Sequence, residues 1–170
     1  MRILIYGFGP YRQFDDNVTE TIVRAFPKRQ GVKKIVFPVR FHKSQFTRAL
    51  AEYRPDVVLG LGQCSRGSLL RQERRAVNRR RKSSDAKTTP ISAAGPRALF
   101  TDLNLRLASR SKWSRDAGNY VCNFSMYVML EYIKRRKLPV RYGFVHVPRG
   151  YDVKQALRVL RAALNSSRSL

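Results

Sequence analysis

Short apolar runs alternate with longer amphipathic stretches along this chain, and the alternation predicts its architecture. Ile3-Leu4-Ile5-Tyr6 is a β-rich run that stops at Gly7-Phe8-Gly9-Pro10-Tyr11, the punctuation of a strand passing into a loop. Asn17 with Glu20 three residues on has the form of a capping box, and Val18, Ile22 and Phe26 then give one apolar face before Pro27. Lys34 to Val39 reads as a second strand. Ser44 is the expected cap of a helix whose Phe46, Ala49, Leu50 and Tyr53 form an amphipathic stripe, ended by Pro55. Asp56 to Gly62 is apolar without alternation, the pattern of a strand covered on both faces, and Gln63 falls just past its end. The order strand, helix, strand, helix, strand predicts an α/β fold: a three-layer sandwich with a mostly parallel twisted sheet and helices on both faces.

The second half is less regular. Leu69 to Asn78 reads as a strand carrying Glu73 among arginines, and Arg79 to Pro96 loses periodicity and reads as a loop. Asp102 opens a short helix candidate with Leu103, Leu105 and Leu107, although that spacing suits a strand as well. The nearly all-apolar run from Val121 predicts a buried helix ending at Lys134-Arg135-Arg136-Lys137 and Pro139. Arg141 to Pro148 reads as a last strand. Asp152 and Gln155 are expected to cap a final helix bearing Val153, Ala156, Leu157, Leu160 and Leu164. No repeat or linker interrupts the chain, so residues 1–165 are expected to form one domain and residues 166–170 a frayed tail.

Composition adds limits. A length of 170 residues and 43% hydrophobic content suit one domain with a substantial core. Two cysteines make no disulfide framework, the apolar run after Met1 is too short for a signal peptide, and nothing approaches the roughly 20 apolar residues of a membrane helix. A soluble, cytoplasmic protein is expected. The charge is unusual: 35 Lys and Arg against 11 Asp and Glu give +24, which favours polyanions and makes nonspecific nucleic-acid binding at low salt an expectation whatever the function.

Candidate chemistry centres on Cys122. It follows a turn-prone Asp116-Ala117-Gly118-Asn119 and falls on the first turn of the predicted helix, where free N–H groups and the positive dipole end favour a thiolate. The same position also suits a small buried hydrophobe. In open α/β sheets ligands bind beyond the carboxyl ends of the strands, where Gln63, His146 and Cys122 could meet. Of the two histidines, His42 lies in a polar connector, whereas His146 interrupts an apolar strand and is the better base candidate. A structural role for His146 stays open. Glu73 could orient such a base or form a surface salt bridge with Arg71, Arg74 or Arg75. Cys64, beside Gln63, has only a structural reading.

Four blocks carry a family resemblance. Gly60-x-Gly62-Gln63, Glu73-Arg74-x-Ala76-x-Asn78, Ser114-x-Asp116-Ala117-Gly118-x-Tyr120-Val121-Cys122-Asn123 and Gly143-Phe144-x-His146-Val147-Pro148 resemble the motifs of the pyroglutamyl peptidases, and Gly7-Phe8-x-Pro10-Tyr11 is similar too. The resemblance implies a cysteine exopeptidase that removes an amino-terminal pyroglutamyl residue from peptides through a thioester. It implies Cys122 as nucleophile, His146 as general base and later acid, and Glu73 as the group orienting His146. Phe8 and Tyr11 match aromatic positions near the lactam ring, and Gln63 a position close to the substrate. No metal or organic cofactor is implied, and a homo-oligomer is.

The chain departs from the family pattern in places. Tyr11 stands where phenylalanine is usual, Arg12-Gln13 replaces a glycine pair, Arg71 and Arg75 replace small polar and aliphatic residues, and residues 79–85 differ throughout. Two other readings follow: a hydrolase of this fold acting on another amide, and a catalytically altered peptidase-like scaffold that binds nucleic acid or another polyanion through its basic surface.

Overall fold

The computed structural model describes residues 1–11, 14–65, 67–83, 85–107 and 111–166. In chain order the elements are β1 (Ile3–Phe8), α1 (Val18–Ala25), β2 (Val32–Phe37), α2 (Lys43–Tyr53), β3 (Val57–Cys64), β4 (Leu70–Glu73), β5 (Arg75–Val77), β6 (Ala98–Phe100), β7 (Ser111–Ser114), α3 (Val121–Arg135), β8 (Arg141–Pro148) and α4 (Val153–Ser166). Six strands make one sheet in the order β2-β1-β3-β8-β4-β7. Every pairing in it is parallel except β4 with β8.

Strand periodicity places the helices on both faces, as the sequence predicts. Leu4, Tyr6 and Phe8 of β1 pack with Phe46 and Leu50 of α2 and with Phe124 and Val128 of α3. Ile3 and Ile5 point the other way, into a second core with Ile22 of α1 and Leu160 of α4. Residues 57–62 of β3 and 142–148 of β8 are buried throughout, which explains their unbroken apolar runs. No helix among the described residues is long and apolar enough to cross a membrane.

Several local expectations are corrected. β2 lies two residues earlier than expected and stops before Pro38. Gln63 and Cys64 belong to β3 rather than following it. Asn17 does cap α1, accepting from the Thr19 N–H, but Glu20 pairs with Arg24 instead of closing a capping box. α2 begins at Lys43, and neither Ser44 nor His42 caps it through a side chain. The stretch from Leu69 to Asn78 is two strands in different sheets, broken at Arg74, and β5 pairs instead with β6. No helix starts at Asp102; its carboxylate accepts from the Tyr142 N–H, and the extended chain buries Leu103 and Leu105 against the sheet. α4 runs through Ser166; the rest of the expected tail, like Arg12 and Gln13, lies outside the described residues.

A hydroxyl chain under α3 ties the sheet to that helix. Tyr6 and Tyr142 share a 2.6 Å hydrogen bond, Tyr6 lies 3.1 Å from Ser125 Oγ, and Ser125 donates to the Cys122 carbonyl at 2.8 Å. Burial raises both phenols well above their ordinary value, so this network stays neutral. It holds the first turn of α3 against β1 and β8.

Candidate active site

A turn built from short polar residues sets the start of α3. Asp116 accepts from the Gly118 N–H at 2.9 Å and pairs with Arg79 at 2.7 Å, while Gly118 takes a left-handed φ of 83°. Partial burial works to raise the Asp116 carboxyl, but the Gly118 N–H and Arg79 outweigh it and hold it below its ordinary value. Asn123 then clamps the helix to β5: its amide donates to the carbonyls of Val77 and Arg79 and accepts from the Val77 N–H, each at 2.8 Å. Cys122 is thereby held as the second residue of the helix. The Phe124 N–H is the first to find the Tyr120 carbonyl, and Tyr120 gives no side-chain cap, so the N–H groups of Val121, Cys122 and Asn123 have no acceptor within the helix.

The sulfur sits over Gly62 and beside His146. A Cβ added at Gly62 would lie 2.7 Å from Cys122 Sγ, and Gly62 is the direct β3 neighbour of His146 on β8. His146 Nδ1 is 2.7 Å from Glu73 Oε1, with the carboxylate wholly buried and the ring 6% exposed. That burial excludes a surface salt bridge for Glu73. Desolvation pulls the imidazole down, but Cys122 and then Glu73 outweigh it and raise His146 from 6.5 to about 10. The charged imidazolium is therefore the favoured form of His146. With Nδ1 engaged by Glu73, Nε2 is the nitrogen left for the cavity.

A cavity of about 300 Å³ opens at this point, at the carboxyl ends of β1 and β3. Phe8, Tyr11, Gln63, Cys122 and His146 all line it. Glu73 stands behind His146, away from the cavity wall. Gln63 has a second duty: its side-chain oxygen accepts from the Val18 N–H at 2.8 Å, fixing the start of α1 at the cavity edge and committing the oxygen, so that only the NH₂ remains as a donor. Phe8 is buried under the floor, and Tyr11 packs 6.1 Å from the Tyr120 ring, giving an apolar slot. Phe41 meets Tyr120 edge to face at 5.2 Å and closes the slot behind.

Sequence reasoning assigned no site role to Asn17, Val39, Tyr120 or Arg71, all of which line the cavity. Asn17 was legible as a helix cap, and a cap at the strand-end crevice is also a wall of it. Tyr120 lies two residues before Cys122, inside the most specific motif. Cys64 lines the cavity as a buried thiol. His42 and the arginines of residues 79–81 are not part of the wall. Among the described residues, no group of three or more His, Cys, Asp or Glu could hold a metal ion.

The arrangement is a cysteine sulfur at a helix start, an imidazolium and a buried carboxylate in series, beside a slot walled by Phe8, Tyr11 and Tyr120 with the Gln63 amide at its edge. Such a set suits acyl transfer through a thioester. The comparisons agree. Residues 1–157 match the family described as pyroglutamyl peptidase. A pyrrolidone-carboxylate peptidase of Halalkalibacterium halodurans is 32% identical over 86% of this chain and 83% of its own, and one of Lactobacillus acidophilus 31% identical over 87% and 84%. In structure, the pyrrolidone carboxyl peptidase of Thermococcus litoralis superposes with a TM-score of 0.86 at 25% identity, over 99% of this chain and 93% of that one. A mutant pyrrolidone carboxyl peptidase of Pyrococcus furiosus gives 0.89 at 25%, over 99% of both chains. The chain belongs to the pyroglutamyl peptidase family of cysteine peptidases.

Proposed function

We propose that the chain hydrolyses the bond after an amino-terminal pyroglutamyl residue, with Cys122 as nucleophile, His146 as proton carrier and Glu73 as its positioning residue. The observation that carries this assignment is the continuous series Cys122, His146, Glu73, with Cys122 and His146 on the cavity wall and Glu73 buried behind the imidazole. The lactam ring lies against Phe8, Tyr11 and Tyr120, and the NH₂ of Gln63 donates to its carbonyl. Cys122 Sγ attacks the acyl carbon, and the oxyanion forms at the free N–H groups of the first turn of α3, where dipole and donors both favour negative charge. His146 gives its Nε2 proton to the leaving amine as the C–N bond breaks, leaving a pyroglutamyl thioester. Neutral His146 then takes a proton from water, which attacks the thioester and releases pyroglutamate. A thiolate nucleophile calls for a reducing compartment, which suits the cytoplasm.

The test is release of a fluorophore from a pyroglutamyl conjugate against prolyl and glutaminyl conjugates. Turnover confined to the pyroglutamyl substrate is expected. Equal or greater turnover of the others would assign a different amide substrate.

Two consequences are measurable. The leaving amine needs the imidazolium, so kcat/KM falls as pH rises through about 10, the raised value of His146. A limb near the ordinary histidine value in the pH profile would contradict the pairing. Gly62→Ala puts a methyl 2.7 Å from the sulfur and 2.8 Å from Phe144 Cζ, so the sulfur must move. A loss of about 100-fold in kcat/KM is expected with the far- and near-ultraviolet circular dichroism unchanged. Full activity would show that the sulfur does not rest on Gly62.

A further inference from the structure

The strand order gives the cavity a direction. Phe8 ends β1, Gln63 is on β3, His146 on β8, and Arg71 on β4, in that sequence across the sheet. The slot assigned to the lactam lies on the β1 and β3 side of the sulfur. His146, which protonates the leaving amine, stands between that slot and β4. The residue that follows the pyroglutamyl group therefore leaves the centre toward β4. There it meets Arg71, which pairs directly with His146 in the antiparallel register and lines the same cavity.

Arg71 is an unusual group to find there. Its Nε is buried with no hydrogen-bond partner. Among the described residues no carboxylate forms an ion pair with it, whereas Arg79 and Arg149 pair with Asp116 and Asp16. Glu73, two residues along the same face, spends its bonded oxygen on His146. A buried guanidinium nitrogen without an acceptor is costly, and a planar fork of donors matches a carboxylate.

Resting on the pyroglutamyl reading, we propose that Arg71 forms a subsite for a carboxylate on the residue after pyroglutamate, making this chain selective for acidic leaving peptides. The carboxylate can come from an acidic side chain or from the free α-carboxyl of a dipeptide. Both sit a few bonds from the leaving nitrogen. The ligand carboxylate supplies the ion-pair partner that the Arg71 guanidinium lacks among the described residues, and a neutral amide of equal shape does so only in part.

Calorimetric binding to the Cys122→Ala chain separates this from turnover. Two isosteric pairs are compared at fixed moderate salt: pyroglutamyl-glutamate amide with pyroglutamyl-glutamine amide, and pyroglutamyl-alanine with its amide. Binding of the acid at least about tenfold tighter in one pair is expected, and that pair identifies the source of the carboxylate. In Arg71→Gln the ratio falls to near one, and Arg71→Lys restores part of it. Equal binding within both pairs, or a preference that survives Arg71→Gln, overturns the subsite. If the native chain still turns over the neutral peptides, the pyroglutamyl reading stands without it. Failure of all four peptides to bind overturns both.

Discussion

Cys122→Ala is expected to lower kcat/KM for a pyroglutamyl conjugate by at least about 10⁴-fold, since no covalent intermediate forms and only binding and the oxyanion donors remain. The loss belongs to chemistry, not folding. Cys122 is only partly buried, and although its sulfur packs over Gly62, alanine keeps the helix and the carbonyl that accepts from Ser125. Far- and near-ultraviolet circular dichroism of the variant should therefore match the native chain, with only the stability that Cys122 lends by raising His146 removed. Cys64 gives an internal control. It lines the same cavity but lies at the strand end away from the Gly62 to His146 pairing, so Cys64→Ala should retain most activity. A large loss in Cys64→Ala with activity retained in Cys122→Ala would reverse the assignment.

Glu73→Gln is expected to lower kcat by about 10² to 10⁴-fold with a smaller change in KM, because the amide keeps the shape but no longer holds His146 in one tautomer. It also removes one of the two negative groups that keep the imidazolium charged. Burial, which acts downward on His146, then weighs more, and the alkaline limb of kcat/KM should move below its native position near pH 10. The stability effect has a defined sign as well. His146 carries a raised value in the folded chain, so its contribution is fully present below its unfolded value of 6.5 and is lost as pH rises through about 10. Native minus variant stability should shrink across that window. An unchanged alkaline limb together with a lowered kcat would mean that Glu73 acts through packing alone.

The central strands were legible because their burial on both faces leaves apolar runs that need no partner information, as at residues 57–62 and 142–148. β7 was not. Ser111-Lys112-Trp113-Ser114 is a short edge strand with no alternation, held by its pairing to β4 and by Arg74 stacked 4.2 Å over Trp113. The stretch after Asp102 stayed open between helix and strand because Leu103, Leu105 and Leu107 alternate while Asp102 suits a helix cap, and the tertiary bond from Tyr142 to Asp102 is what draws the chain out along the sheet. Ser44 fitted the cap rule, but nothing in the sequence fixes the helix start to a given residue.

The site was legible to a different degree at each position. Cys122 and His146 could be singled out by local context, a helix start and a polar break in an apolar strand. Glu73 could not be told from a surface ion pair, because its burial comes from the register of β4 against β8. Gln63 showed its place but not its second duty, since the Val18 N–H it accepts is 45 positions away in sequence. Arg71 was visible only as a departure from the family; its direct pairing with His146 is what makes it a candidate for recognising the leaving peptide.

Acid-quenched intact mass spectrometry during turnover of a pyroglutamyl substrate tests the central claim most directly. One pyroglutamyl group per chain, mapped to the peptide containing Cys122 and lost on treatment with hydroxylamine, is the predicted result. Turnover with no adduct under conditions where thioester hydrolysis limits the rate, or an adduct on Cys64, would contradict it.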